Sequence, residues 1–193
     1  MSDLQIASKE IDIILAELAK TKDINGDVVE FGCYAGDTSI LLAESLRDQP
    51  EKWLYLYDSF EGLPEKSSAD YSSSGRRFTA GALRASPDAV ISKFKKHNLP
   101  EPVIIKSWFN KLKDTDLPNL ISFALFDGDF YESIKDSFLL VAPKMNRGGI
   151  IIVHDYRNPA LPGSAKAVNE FIDSHPTEYK TRIASSLAIL VKQ

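Results

Sequence analysis

Acidic side chains and one histidine recur in this chain where strands are expected to end. Asp127-Gly128-Asp129 follows the apolar run Ile121–Phe126, and His154-Asp155 follows Ile150–Val153. In open parallel sheets a ligand sits beyond the carboxyl ends of the strands, so Asp127, Asp129, His154 and Asp155 are expected to converge on one site. Oxygen donors suit a hard cation such as Mg²⁺, which keeps several of its waters. An imidazole is more at home on Zn, Fe, Ni or Cu, so His154 reads equally as a metal ligand or as a general base. The plainer use of the same acids is to cap helices and loops.

A second constellation lies in Glu30-Phe31-Gly32-Cys33-Tyr34-Ala35-Gly36-Asp37-Thr38. Glycines let the chain turn tightly and approach a ligand without a Cβ in the way. The helix that follows points free N–H groups at the same spot, which favours a carboxylate or phosphate. The glycines are not at the G-x-G-x-x-G spacing of dinucleotide sites, which counts against NAD. Glu30, near the strand end, is placed to hold the ammonium of an amino-acid moiety. Asp58 ends the next apolar run, where a carboxylate can accept two hydrogen bonds from a ribose diol. Either feature alone suits an ordinary βα turn or a solvated strand-end acid. Together they point to a nucleoside-like ligand.

The elements that must position these groups alternate. Ile6, Ile11, Ile14, Leu15 and Leu18 repeat at helical spacing, which places an amphipathic helix within residues 1–22. Strands are expected at 28–31, 53–57, 103–105, 121–126 and 150–153. Helices are expected at 38–47, near 87–97, 131–141 and 164–173. Such alternation implies a parallel sheet with right-handed crossovers. Two β-prone runs at 179–184 and 187–191, separated by Ser185-Ser186, read as a closing hairpin that adds an antiparallel strand. Residues 1–193 read as one domain. The serine-rich stretch 61–86 reads either as a mobile surface loop or as a lid over a ligand.

Composition narrows the function. The formal net charge is −4, from 23 basic and 27 acidic side chains. The basic residues form no stripe, which argues against nucleic acid as a partner and leaves a small molecule. Cys33 is the single cysteine, so an intramolecular disulfide and a thiolate zinc cluster are both excluded. The first twenty residues mix charged and apolar side chains and do not read as a signal peptide. No apolar run approaches the roughly 20 residues of a membrane span. A cytoplasmic protein with no membrane partner is the expectation.

Five runs extend this reading. They are Gly26-Asp27-Val28-Val29-Glu30-Phe31-Gly32, Asp58-Ser59-Phe60-Glu61-Gly62-Leu63-Pro64, Ser107-Trp108-Phe109, Asp127-Gly128-Asp129-Phe130-Tyr131-Glu132-Ser133 and Gly148-Gly149-Ile150-Ile151-Ile152-Val153-His154-Asp155-Tyr156. In order and spacing they resemble the macrocin O-methyltransferase (TylF/MycF-type) family, from about Gly26 to His175. The resemblance implies an α/β fold, the Rossmann-like class I methyltransferase fold. Its seven-stranded sheet is mostly parallel, with a C-terminal antiparallel strand and helices on both faces. It implies S-adenosyl-L-methionine as methyl donor, a divalent cation, usually Mg²⁺, and a sugar hydroxyl on a natural product or glycan as acceptor. A homo-oligomer stays open.

By position, Glu30 and Gly32 fall along the methionine part of the cofactor, Asp58 on the ribose, and Ser107 and Trp108 near the adenine. Tyr34, Gly36, Thr38, Ser59 and Asp127 complete the expected cofactor set. Asp127, His154 and Asp155 fall on the metal positions. The family pattern there is D-D-Y, whereas this chain has His154-Asp155-Tyr156. The imidazole in place of a carboxylate implies a weaker site, a site for another ion, or none.

The implied reaction is an in-line displacement at the sulfonium methyl. Asp127, His154 and Asp129 are the candidates for moving the acceptor's proton. A metal-independent methyltransferase, a nucleotide-dependent oxidoreductase and a silent cofactor-binding module are the alternatives.

Overall fold

The computed structural model describes residues 6–193. The first five residues of the helix expected within 1–22 lie outside that range. Among the described residues, no helix is long and apolar enough to cross a membrane.

Seven strands form one sheet: β1 (Asp27–Phe31), β2 (Leu54–Asp58), β3 (Val103–Lys106), β4 (Ile121–Phe126), β5 (Met145–Val153), β6 (Tyr179–Ala184) and β7 (Leu187–Lys192). Their order across the sheet is β3-β2-β1-β4-β5-β7-β6. The first five run parallel, and β7 pairs antiparallel with both β5 and β6. The closing hairpin read from the tail is therefore present, with its second strand tucked against β5. The chain leaves β1 towards β2 on one side and later returns to β4 on the other. That reversal opens a crevice above the ends of β1 and β4, where open sheets bind ligands.

Every residue of β4 is buried, as its unbroken apolar run requires of a central strand. Alternate side chains of the sheet enter two separate cores. Val28, Leu56, Phe123, Leu125, Ile152 and Ile189 pack under helices α1 (Ser8–Lys20), α2 (Asp37–Ser45) and α3 (Pro87–Lys96). Val29, Phe31, Tyr57, Phe126, Ile151 and Leu190 pack under α4 (Tyr131–Val141) and α5 (Pro162–Ser174). The rings of Phe138 and Phe171 stack with centroids 4.0 Å apart and tie those two helices together.

Three boundaries differ from expectation for local reasons. β5 begins at Met145 rather than Ile150, because Ile121 pairs with Met145 and Phe123 with Ile150. The extra residues bulge at Gly148, whose φ is +80°. α5 begins at Pro162, since a proline lacks the N–H that the first helical turn leaves free anyway. α3 starts where Ser86 accepts a hydrogen bond from Ala89 N at 3.2 Å, with Pro87 next in line.

The 61–86 stretch is no free loop. A short 3₁₀ turn at Ser68–Asp70 buries Asp70. Asp70 accepts a hydrogen bond from Tyr131 N at 2.7 Å, at the start of α4, and from Ser67 N at 2.9 Å. Gly163 lets it nestle against α5, since a Cβ there would stand 1.8 Å from Asp70 Oδ1. Ser72 and Ser74 bond the carbonyls of Ala160 and Pro159. A carboxylate on a helix N-terminus is a charge-assisted anchor of about 1–3 kcal/mol. Asp70→Ala is therefore expected to lower Tm by roughly 2–10 °C for a chain of this size. It is also expected to speed proteolytic nicking within 61–86. Unchanged nicking would show that the other contacts hold the segment alone.

Candidate active site

The site is assembled from strand ends. After β1, Gly32 turns the chain at φ +91°, and a Cβ at that position would lie 2.3 Å from the carbonyl oxygen of Asp127. This glycine lets the ends of β1 and β4 close on each other. Asp127 N donates to Phe31 O at 2.8 Å and His154 N to Phe126 O at 2.9 Å, so the ladder holds the backbone just past the strands. Asp129 and Asp155 sit at φ +59° and +61°, a left-handed backbone that aspartate tolerates better than most residues.

These ends floor a cavity of about 720 Å³. The residues expected at the cofactor enter its wall unevenly. Glu30, Gly32, Tyr34, Thr38, Asp58, Ser59, Trp108 and Asp127 line it, whereas Gly36 and Ser107 do not. Gly36 instead caps α2 at φ +79° and faces Val90. The Ser107 hydroxyl donates to Trp108 O at 3.0 Å. The Ser59 hydroxyl is also engaged locally, accepting from Glu61 N and donating to Gly62 O. Leu63, Phe78 and Leu83 of the 61–86 stretch form much of the apolar wall. Nothing in their spacing marked them, because a wall contributed by an irregular segment has no period.

Two carboxylates face the glycine turn. Glu30 is 1% exposed and accepts a hydrogen bond from Ser39 Oγ. Burial is the main force on its carboxyl, which the Ser39 bond opposes and the charges of Asp127 and Asp58 reinforce; the result is pushed up to about 8. Asp58 accepts from Tyr34 N at 2.8 Å and from Phe60 N at 2.7 Å, one bond on each oxygen. A carboxylate oxygen has a second acceptor position, so each retains one for a ligand.

The opposite side holds Asp127, His154 and Asp155, each offering one ligand atom within 4.8 Å of the others. His154 Nδ1 lies 2.8 Å from Asp127 Oδ1 and 3.2 Å from Asp155 Oδ2. Donors bound to one cation at ~2.1 Å stand about 3 Å apart along each edge of an octahedron, so the trio fits a divalent ion. Burial works against a charged ring here, but the two aspartates outweigh it and push His154 up to about 12. Asp129 stands outside the trio. Burial, then Asp127 and Asp155, raise its carboxyl well above the usual range.

One participant escaped the sequence reading. Glu10 of α1 places Oε2 3.3 Å from His154 Nε2. Its Oε1 accepts from Ser185 Oγ at 2.9 Å, Ser186 N at 3.0 Å and Ser186 Oγ. Burial opposes its charge, yet the Ser186 and Ser185 bonds prevail and hold it down at about 2. A signal was available. Ile6, Glu10, Ile14 and Leu18 are spaced by four, so an acid interrupts the apolar stripe of the helix.

Residues 9–184 match the family described as Macrocin-O-methyltransferase (TylF). The chain belongs to this family. TylF relatives include the demethyldecarbamoylnovobiocin O-methyltransferase of Streptomyces niveus, 30% identical over 158 residues, which cover 77% of this chain and 59% of that one. The mycinamicin III 3''-O-methyltransferase of Micromonospora griseorubida is 26% identical over 168 residues, covering 82% and 65%. The chain thus spans about three fifths of the length of these relatives. In three dimensions it superposes on the O-methyltransferase NovP with a TM-score of 0.84 at 25% identity, covering 97% of this chain and 81% of that one. It also shares its fold with the calicheamicin methyltransferase CalS11, with a TM-score of 0.77 at 19% identity, covering 95% and 78%. The class I methyltransferase fold expected from the sequence is present.

Proposed function

We propose that this TylF-family chain transfers the methyl group of S-adenosylmethionine to a hydroxyl of a small molecule, a sugar on a natural product or glycan, with a divalent cation bound beside the cofactor. The observation that carries this reading is the shared cavity. Glu30 and Asp58 stand on one side of the β1–β4 crevice, and the acid–histidine trio stands on the other. Sugar O-methylation is supported by relatives that act on such acceptors, among them a tetracenomycin rhamnosyl 4'-O-methyltransferase of Streptomyces olivaceus, 30% identical over 160 residues.

The roles follow from chemistry. Glu30 receives the ammonium group and Asp58 the ribose diol. Gly32 lets the cofactor approach the backbone. Trp108 and the apolar side chains of 61–86 cover it and exclude water. Asp127, His154 and Asp155 would hold the cation, which when bound draws sugar oxygens together and makes one easier to deprotonate. As the acceptor oxygen forms its bond to the methyl carbon, the carbon–sulfur bond breaks and S-adenosylhomocysteine leaves. The hydroxyl proton passes to a carboxylate of the floor, Asp127 first and Asp129 second. Holding oxygen and methyl carbon in line supplies about 7–11 kcal/mol of effective concentration.

Glu30 makes binding depend on pH. In the free protein its carboxyl keeps a proton up to about 8, against an ordinary value of 4.5. This group favours folding most at low pH, and that contribution fades as pH rises from about 4.5 to about 8. A cationic ammonium beside it draws the proton off. S-adenosylhomocysteine is therefore expected to bind more tightly as pH rises from 6 towards 8, releasing close to one proton at pH 6.5. Calorimetry in buffers of different ionisation heat measures this. A Glu30→Gln variant should lose the proton release. Equal release from that variant would exclude Glu30 as the source.

The direct test is titration with S-adenosylhomocysteine, followed by transfer of labelled methyl to glycoside acceptors, each with Mg²⁺ and with EDTA. One-site binding and labelled ether product are expected, with EDTA suppressing transfer. Failure to bind S-adenosylhomocysteine would remove the methyltransferase reading. Transfer undiminished by EDTA would remove only the cation.

A further inference from the structure

The imidazole of the trio is held from behind. Glu10 reaches His154 Nε2 from α1, across the sheet ends, at 3.3 Å. Its other oxygen is committed to three donors of the Ser185-Ser186 turn between β6 and β7. A carboxylate so placed only accepts hydrogen bonds, so Nε2 carries a hydrogen towards Glu10. Nδ1 faces Asp127 Oδ1 at 2.8 Å and Asp155 Oδ2 at 3.2 Å, two acceptors that hold a hydrogen on it until a cation takes that hydrogen's place. Metal-ligating histidines commonly donate their other N–H to a carboxylate, which fixes the ring and strengthens the ligand. The Glu10–His154 pair has this form.

We infer that the cation site of this chain is a two-carboxylate, one-imidazole site that prefers Co²⁺ or Mn²⁺ to Mg²⁺, and that Glu10 is the positioning residue that aims Nδ1 into it. The inference rests on the cation of the proposed function and adds its class. An all-oxygen donor set suits Mg²⁺, whereas imidazole favours the first-row transition ions, with Co²⁺ above Mn²⁺. The exchange of one ligand from carboxylate to imidazole alters the ranking while keeping the three-ligand geometry.

The experiment titrates the full chain, saturated with S-adenosylhomocysteine, with CoCl₂, MnCl₂ or MgCl₂ in a calorimeter, and records the visible absorption of bound Co²⁺. Co²⁺ is expected to bind at least ~30-fold more tightly than Mg²⁺. His154→Asp should shrink that ratio by about tenfold or more and shift the Co²⁺ spectrum. Glu10→Gln keeps the serine bonds through its carbonyl oxygen but turns an N–H₂ towards Nε2, forcing hydrogen onto Nδ1. That variant should weaken Co²⁺ about 10–100-fold. S-adenosylhomocysteine affinity reports that both variants are folded. Mg²⁺ binding as tightly as Co²⁺, or a ratio unmoved by His154→Asp, would overturn the inference and leave the cation reading in place. Binding of none of the ions would overturn both, while methyl transfer in EDTA would keep the methyltransferase reading.

Discussion

Asp127→Asn is expected to reduce kcat by a factor of about 10³ while changing the affinity for S-adenosylhomocysteine less than threefold. Loss of a positioned proton acceptor alone costs about 10²–10⁴ in rate. Here the same carboxylate also faces His154 Nδ1 at 2.8 Å and belongs to the trio, so the loss falls on both functions. The amide keeps the volume, and the backbone of Asp127 stays held by its bond to Phe31 O at 2.8 Å. Glu30 and Asp58, the carboxylates proposed to hold the cofactor, stand on other strands and are unchanged. Single-turnover transfer of labelled methyl, with calorimetric titration of the product cofactor, separates the two effects. More than a tenth of the wild-type rate would rule out Asp127 as the proton acceptor. A large loss of cofactor affinity with intact single-turnover chemistry would reassign it to binding.

Gly32→Ala should be strongly damaging to both the fold and the site. Two costs coincide there. At φ +91° an L-residue is strained, and the new Cβ would meet the Asp127 carbonyl oxygen at 2.3 Å and its carbon at 2.8 Å. Both are backbone atoms at the end of a buried central strand, so no side chain can swing aside. The ends of β1 and β4 must separate, a change of about 2–5 kcal/mol. For a chain of this length that lowers Tm by roughly 5–15 °C, and the displaced strand ends should abolish cofactor binding. Gly81 provides the control. Its φ is +77°, yet a Cβ would meet nothing within 4 Å. Gly81→Ala should cost only the conformational strain, about 1–2 kcal/mol. Equal melting temperatures for the two variants would show that the contact with Asp127 does not matter.

The elements themselves were legible because their signals are local. β4 is six apolar residues in a row, α3 carries a serine cap and a first-turn proline, and the tail has two β-prone runs. Such patterns follow from which faces must be dry, and each element states its own. The acids Asp58, Asp127 and Asp155 were legible as strand-end residues for the same reason. The order of strands implied the side on which they gather.

Glu10 and His154 are 144 positions apart, and no local pattern joins them. Likewise the cavity wall from 61–86 depends on Asp70 docking against the starts of α4 and α5, a contact between segments that share no period. The fold class, the strand-end acids and the glycine turn were determined by the sequence alone, because short-range patterning and strand direction dictate them. Which acid faces the imidazole, which glycine lets two strands touch, and which segment walls the cavity were decided only by tertiary structure. Those are contacts between distant residues, set by packing distances of a few ångströms that local propensity does not encode.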